Sequence, residues 1–182
     1  MTVSYALLGL LEESDRHGYD LKHSYDRRFG AAKPVRFGQI YRILAQLVRD
    51  GRIQIVAVEP GAGPDRKRYA ITPEGVAELD TWLGEPEEPQ PDLQPVLFTK
   101  IVLALASGRP ADEFLDAQRA RHLDAMRELT TARRSAATSH DALLADFRLF
   151  HLEADLRWID HTAARLAELA REVRDGGAVE GA

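Results

Sequence analysis

The stretch GPDRKRYAITPEGVAEL, residues 63–79, decides the fold class of this chain. Gly63 and Pro64 are turn-forming residues, and residues 66–71 have the pattern of a short strand. Thr72 and Pro73 are residue types preferred at the N-cap and the first position of a helix. Together with IQIVAVE at 53–59, which is rich in β-branched residues, the stretch predicts a β-hairpin followed by a helix.

Three helical segments precede the hairpin: SYALLGLLEE (4–13), HGYDLKHSYDRRFG (17–30) and RFGQIYRILAQLVRDG (36–51). In the third segment, one face is marked by the spacing of Phe37, Ile40, Tyr41, Leu44, Leu47 and Val48. Gly51 is placed to end this helix. Three helices, a hairpin and a fourth helix predict a winged helix-turn-helix within a mainly α protein that carries a small β-hairpin wing.

The second half of the chain lacks strand patterns. GEPEEPQPDLQP at 84–95 has the proline and acid content of a linker, and the apolar patterns at 96–106, 109–134 and 141–175 predict helices. We therefore expect a winged helix-turn-helix DNA-binding domain at 1–84, a linker at 85–95, an antiparallel helical dimerisation and effector domain at 96–175, and a flexible tail at 176–182.

The charge of the chain is unevenly distributed. Its 182 residues have a net charge of -5, yet residues 27–68 hold ten Lys or Arg against three acids. A concentrated basic region on an acidic protein indicates a polyanionic partner for that surface. We expect double-stranded DNA, although a winged-helix module that binds the acidic surface of a protein, without DNA, remains an alternative.

Several function classes are disfavoured. The chain has no cysteine, so disulfides, thiol catalysis and Cys-based metal sites are excluded. We find no nucleophile elbow, no phosphate-binding glycine loop and no transmembrane span, and therefore expect a cytoplasmic protein that is not an enzyme and uses no cofactor or metal. His151 and Asp155 have a spacing that could share a metal ion, but two ligands are a weak signal.

The winged-helix prediction assigns roles to the basic region. The third helix of such a domain enters the major groove with its N-terminal residues, and Arg and Gln side chains are suited to base edges. The base-reading candidates are Arg36, Gln39 and Arg42. Phosphate contacts, which carry no sequence information, are assigned to Lys22, Arg28, Lys33, Tyr41, Arg66, Lys67 and Arg68.

The last predicted helix carries a regular apolar stripe with steps of four and three residues, the spacing of a coiled-coil seam. From this stripe we predict a homodimer whose interface is formed by Leu152, Leu156, Ile159, Ala163, Leu166, Ala170 and Val173. A bundle within one chain is the alternative. An apolar or aromatic small-molecule effector would need apolar walls with a few polar groups. The candidates for such a pocket are His122, Met126, Phe147, Phe150, His151 and Trp158, although core packing is a simpler role for Trp158, the phenylalanines and His122.

Three blocks of the first 84 residues resemble the PadR family of transcriptional regulators: ALLGLLEESDRHGYDL, GQIYRILAQLVRDGRI and GPDRKRYAITPEGVAEL. Gly18-Tyr19 matches the Gly-Tyr pair of the family's second helix. The frame Gly38, Tyr41, Leu44, Leu47 and Gly51 matches its recognition helix, whereas Arg42 stands where many members have Pro. The resemblance implies a homodimeric repressor that binds an inverted-repeat operator and is released by a small effector.

Overall fold

The structure, a computed structural model, describes residues 2–60, 66–90 and 93–178. The chain divides into two compact units, Met1–Gly84 and Glu85–Ala182. Helices dominate, and the small sheet is antiparallel, so the predicted mainly α fold with a β-hairpin wing is confirmed. The predicted turn at 61–65 and the last four residues of the predicted tail lie outside the described residues.

Across its described residues, 2–60 and 66–84, the N-terminal unit has four helices and three strands: α1 (Thr2–Glu13), β1 (Arg16–His17), α2 (Gly18–Phe29), α3 (Phe37–Arg49), β2 (Ile53–Glu59), β3 (Arg66–Ile71) and α4 (Pro73–Gly84). α1 is buried along most of its length, as its continuous apolar run requires, and Leu7, Leu8 and Leu10 are fully inaccessible. α3 presents Ile40, Leu44 and Leu47 to this core. The amphipathic pattern of α3 therefore fixes which of its sides points outward.

The junction between α3 and the wing is built by backbone geometry. Gly51 adopts a positive φ of 68°, which a residue without a Cβ adopts at little cost. The Arg52 amide then donates to the Leu47 carbonyl at 2.9 Å, which closes the end of α3. β2 follows at once, so the hairpin is held close to the C-terminal end of α3.

The sheet has the strand order β1-β3-β2 and is antiparallel throughout. Ile55 pairs with Tyr69 and Val58 with Lys67, and the register shifts between Ile55 and Ala57. The sequence analysis did not predict β1, because two residues carry no periodicity and pair only through tertiary contact with β3. At the end of β3, the Thr72 hydroxyl accepts from the Gly75 amide at 3.1 Å, so Thr72 is the cap of α4.

The C-terminal unit contains α5 (Gln94–Ser107), α6 (Ala111–Arg134), α7 (Ser139–Ala163) and α8 (Leu166–Ala178). Its core joins Leu97, Ile101 and Leu105 of α5 to Phe114 of α6 and Ile159 of α7. α5 begins at Gln94, inside the predicted linker. α8 continues to Ala178, so residues 176–178 of the predicted tail are helical.

The predicted single helix over 141–175 is wrong, because the chain turns between α7 and α8. The Arg165 amide donates to the Thr162 carbonyl at 3.0 Å, a tighter turn than the α-helical pattern. This break lets Leu166, Leu169 and Val173 pack against the α5–α6 core.

Residues 85–90, the first part of the predicted linker, are bound to the helices of the C-terminal unit. The Lys100 ammonium, which is 1% exposed, donates to the Glu85 carbonyl at 2.6 Å and pairs with the Glu87 carboxylate at 2.7 Å. Burial lowers the pKa of Lys100, and the Glu87 carboxylate opposes that shift. The Gln118 amide bonds both backbone groups of Glu87, at 2.7 and 2.8 Å. This segment is therefore anchored rather than extended.

Candidate nucleic-acid interface

The outer side of α3 carries the three base-reading candidates. Arg36, Gln39 and Arg42 are exposed, while the opposite side of the helix is buried. Within the described part of the chain, no carboxylate pairs with Arg36 or Arg42. Their guanidinium groups are thus available to an incoming hydrogen-bond acceptor.

Phe37 is more exposed than its place on the apolar side of α3 predicts, and Tyr41, the phosphate candidate on the same side, is also exposed. Phe37 is 41% exposed and Tyr41 is 45% exposed. The inner part of the Tyr41 ring covers Gly18 so closely that a Cβ there would lie 2.6 Å from the Tyr41 ring. Burial, with a smaller electrostatic contribution from Tyr41, raises the pKa of the Tyr69 hydroxyl. Tyr41 therefore links α2, α3 and β3 while keeping an exposed edge.

The wing exposes three consecutive basic residues, whose side chains alternate between the two faces of the hairpin. Arg66, Lys67 and Arg68 are exposed along β3, with Glu59, Val58 and Ala57 as their partners across the hairpin. Arg68 lies 3.6 Å from the Glu59 carboxylate, which offsets part of its charge. Arg66 and Lys67 have no carboxylate partner among the described residues, and they are the stronger cationic sites of this strand.

Two of the predicted phosphate contacts, Lys22 and Arg28, already have partners within the unit. Lys22 is buried, pairs with Asp26 and lies over the Phe37 ring at 5.0 Å. The Arg28 guanidinium pairs with Glu13 and is only 15% exposed. Lys22 pairs within its own helix, with the residue one turn later, whereas Arg28 pairs with the last residue of α1. Spacing along one helix could reveal the first partner but not the second, which comes from a tertiary contact. Lys33 remains exposed, after a turn in which the Tyr25 hydroxyl donates to the Lys33 carbonyl at 2.9 Å.

The predicted dimer stripe contributes to the core of its own chain. Leu152 and Ile159 are buried, and Leu166, Ala170 and Val173 are partly buried against the core of the C-terminal unit, so these five contribute to the core of their own chain. Ala163 is exposed and Leu156 is half-buried. A different side of α7 carries a row of exposed apolar side chains, here called the α7 patch: Leu143, Leu144, Phe147 and Phe150.

The predicted effector-pocket residues do not converge. Phe147 and Phe150 belong to the exposed α7 patch, Trp158 packs against the core, and Met126 lines a separate shallow hollow. His151 alone lines a larger cavity of about 620 Å³ between residues 88–90, α6 and α7. Its apolar lining comes from Pro89, Ala125, Leu129, Ala132 and Leu152.

A buried polar network lies behind one wall of this cavity. Asp155 lines the cavity, accepts from the Gln94 amide at 2.7 Å and lies 3.4 Å from the ring of His122. His122 is fully buried and bonds the Gln118 carbonyl at 2.8 Å, and Gln118 in turn holds Glu87. His122 is therefore a hydrogen-bonded core histidine rather than a pocket residue. In the described ranges, no three His, Asp or Glu side chains form a group that could hold a metal ion.

No helix among the described residues has the length and apolar character needed to cross a membrane.

Residues 7–81 match the family described as "Transcriptional regulator PadR-like family". Over 89 residues the chain is 35% identical to the Mycobacterium tuberculosis protein named "Probable transcriptional regulator Rv1176c", covering 49% of this chain and 47% of that protein. Over 81 residues it is 32% identical to the Bacillus subtilis "Negative transcriptional regulator PadR", covering 44% of each.

The chain thus spans about half the length of the curated relatives it matches. Among solved structures, the crystal structure of Bacillus subtilis PadR in complex with operator DNA aligns with 91% of this chain and 99% of that chain. The TM-score of that alignment is 0.47 and the identity is 20%.

Proposed function

We propose that this protein regulates transcription by binding specific sequences in double-stranded DNA, because residues 7–81 match the transcriptional regulator PadR-like family. The observation that carries the proposal is the outward side of α3, which presents Arg36, Gln39 and Arg42 beside a basic wing. Such a helix matches the dimensions of the major groove, where Arg and Gln pair with base edges. Lys33, Arg66 and Lys67 are placed for sequence-independent phosphate contacts.

Binding to the DNA upstream of the protein's own gene tests this function. Because several phosphates must be neutralised, the affinity should fall steeply and log-linearly as the salt concentration rises. A scrambled duplex of the same length is the control and should bind more weakly at every salt concentration. Failure to bind the upstream DNA at low salt, or equal binding to both duplexes, would contradict the proposal. Recovery of a stoichiometric protein partner from nucleic-acid-free extract would favour the protein-interaction alternative.

A homodimer is the second part of the proposal. A two-fold axis would place two recognition helices on half-sites about one helical turn apart, so the operator would be an inverted repeat. The α7 patch supports a contact between two copies, since four large apolar side chains on one helix are exposed in the single chain. Repression follows if the operator overlaps the site of transcription initiation.

The third part concerns release from DNA by a small molecule. The cavity lined by His151 and Asp155 combines apolar side chains with polar and charged ones, including Glu128 and Arg148, so it suits a ligand that carries both kinds of group. The network through His122 and Gln118 connects its wall to Glu87, in the segment that follows α4. A screen of apolar and aromatic compounds for release of the bound DNA tests this role. Compounds that act equally on the Ala125→Trp variant, whose side chain would fill the cavity, would contradict it.

A further inference from the structure

Three aromatic side chains form an exposed cluster at the start of α3, here called the aromatic shelf: Tyr19, His23 and Phe37. The Tyr19 ring stacks on Phe37 with 5.7 Å between centroids and 25° between planes, and the His23 ring meets Tyr19 at 4.3 Å. All three remain exposed, Tyr19 by 53% and Phe37 by 41%. Exposed apolar rings in one cluster mark a contact surface rather than a core.

The Phe37 ring is held in place before any partner arrives. Lys22 lies over it at 5.0 Å from the ring centre and is itself paired with Asp26, while Tyr19 stacks against it. These contacts restrict the rotation of the ring about its side-chain bonds. A ring that is fixed and still exposed loses little conformational entropy when it meets a ligand.

Phe37 also lies at the start of α3, beside the proposed base-reading residues Arg36 and Gln39. It is the first residue of the helix, between Arg36 and Gly38, and Gln39 follows within the same turn. A Cβ at Gly38 would have no atom within 4 Å, so the start of the helix is open to close approach. The spacing of Phe37 to Ile40 and Leu44 predicts a buried side chain, but its ring is exposed. None of the polar contacts described above uses this ring.

In the major groove, the C5-methyl group of thymine is the apolar group that base pairs present, and Phe is among the side chains that contact it. We propose that Phe37 is a specificity-determining residue that selects thymine by packing against this methyl group, with Tyr19 as the residue that positions the ring. The inference rests on the proposed DNA-binding function. It adds an apolar contact to an interface otherwise made of hydrogen bonds and phosphate contacts.

Replacing thymine with uracil removes only this methyl group and tests the inference directly. The upstream DNA is amplified once with dTTP and once with dUTP, and both duplexes are titrated with the wild-type protein, Phe37→Ala and Phe37→Leu. The wild type should bind the uracil duplex about fourfold more weakly for each methyl group that it buries. Phe37→Ala should bind both duplexes equally, and Phe37→Leu should keep part of the preference.

Ile55→Ala is the matched control, because it truncates another exposed apolar side chain of the same unit, on β2. It should keep the full preference for thymine. A uracil effect that is equal in the wild type and both Phe37 variants, or no uracil effect in the wild type, would overturn the inference while leaving DNA binding intact. Failure of the wild type to bind either duplex would instead contradict the proposed function, and the inference would fall with it.

Once the preference is measured, uracil is placed at one thymine at a time. Binding should weaken at one position in each half-site and be unchanged at the others. Weakening spread evenly over all thymines would overturn the inference, because it would indicate an effect on DNA shape rather than a contact with one methyl group.

Discussion

The structure has no room for a side chain at Gly75. A Cβ at this position, in the first turn of α4, would lie 2.1 Å from the carbonyl oxygen of Arg52, which is a backbone atom. We expect Gly75→Ala to lower the free energy of unfolding by about 1–3 kcal/mol, the usual cost of overpacking, as measured by urea denaturation. Gly84→Ala is the matched control, because no atom lies within 4 Å of its Cβ position. Equal losses in the two variants would contradict the steric argument.

Tyr25, also at the residue scale, should make stability depend on alkaline pH. Burial, assisted by the neighbouring Asp26 carboxylate, raises the pKa of its hydroxyl from 10.0 to about 12. The folded state therefore keeps a proton that the unfolded state loses, so this contribution is present below pH 10 and is lost as the pH rises toward 12. Over this pH range the free energy of unfolding of the wild type should fall by about 2 kcal/mol more than that of Tyr25→Phe. If urea denaturation at each pH shows the same decline in the free energy of unfolding for both proteins, the assignment is contradicted.

At the scale of elements, α3 and the wing should contribute differently to DNA binding. Arg42 lies on the outward side of α3, so Arg42→Ala should relax the preference among operator variants and cost about 1–3 kcal/mol on the best sequence. Lys67 lies on β3, so Lys67→Ala should weaken binding to all sequences alike and lower the salt slope by about one unit. Competition titrations against a panel of single-base variants measure both effects. A loss of sequence preference in Lys67→Ala equal to that in Arg42→Ala would exclude this division of roles.

The elements also differ in how far the sequence could predict them. α3 and its capping by Gly51 were predictable, because amphipathic spacing and a positive φ depend on local residue types. β1 and the turn between α7 and α8 were not, since both exist through contacts with distant segments. The same reason accounts for the Arg28 ion pair and for the exposure of Phe37. Helical spacing predicts which side of a helix is the most apolar, but packing against the neighbouring helix determines which side chains are buried.

At the scale of the whole molecule, the α7 patch and the apolar stripe from Leu152 to Val173 predict different surfaces for the dimer interface. Phe150 is exposed on the patch, whereas Ala163 is the exposed member of the stripe. We expect Phe150→Glu to convert a dimer into a monomer, because the new charge would be buried in the contact, and Ala163→Glu to leave the dimer intact. Light scattering after size-exclusion chromatography measures the mass of each. A monomeric Ala163→Glu beside a dimeric Phe150→Glu would restore the stripe as the interface.

Loss of the dimer should also be visible in DNA binding. A monomer engages one half-site, so Phe150→Glu should bind an inverted repeat no more tightly than a single half-site, whereas the wild type should prefer the repeat strongly. An unchanged preference in a monomeric variant would show that two-fold symmetry is not used for recognition.

The sequence by itself determined the winged-helix order, the cap at Thr72, the end of α3 at Gly51 and the outward position of Arg36, Gln39 and Arg42. Each of these depends on residue preferences or on periodicity within one element. Only the tertiary structure decided that Arg28 pairs with Glu13, that Phe37 stays exposed on Tyr19, and that most of the regular stripe of the last helices packs against the core of its own chain. The physical reason is that burial and ion pairing are properties of two surfaces in contact, and one segment of sequence specifies only one of them.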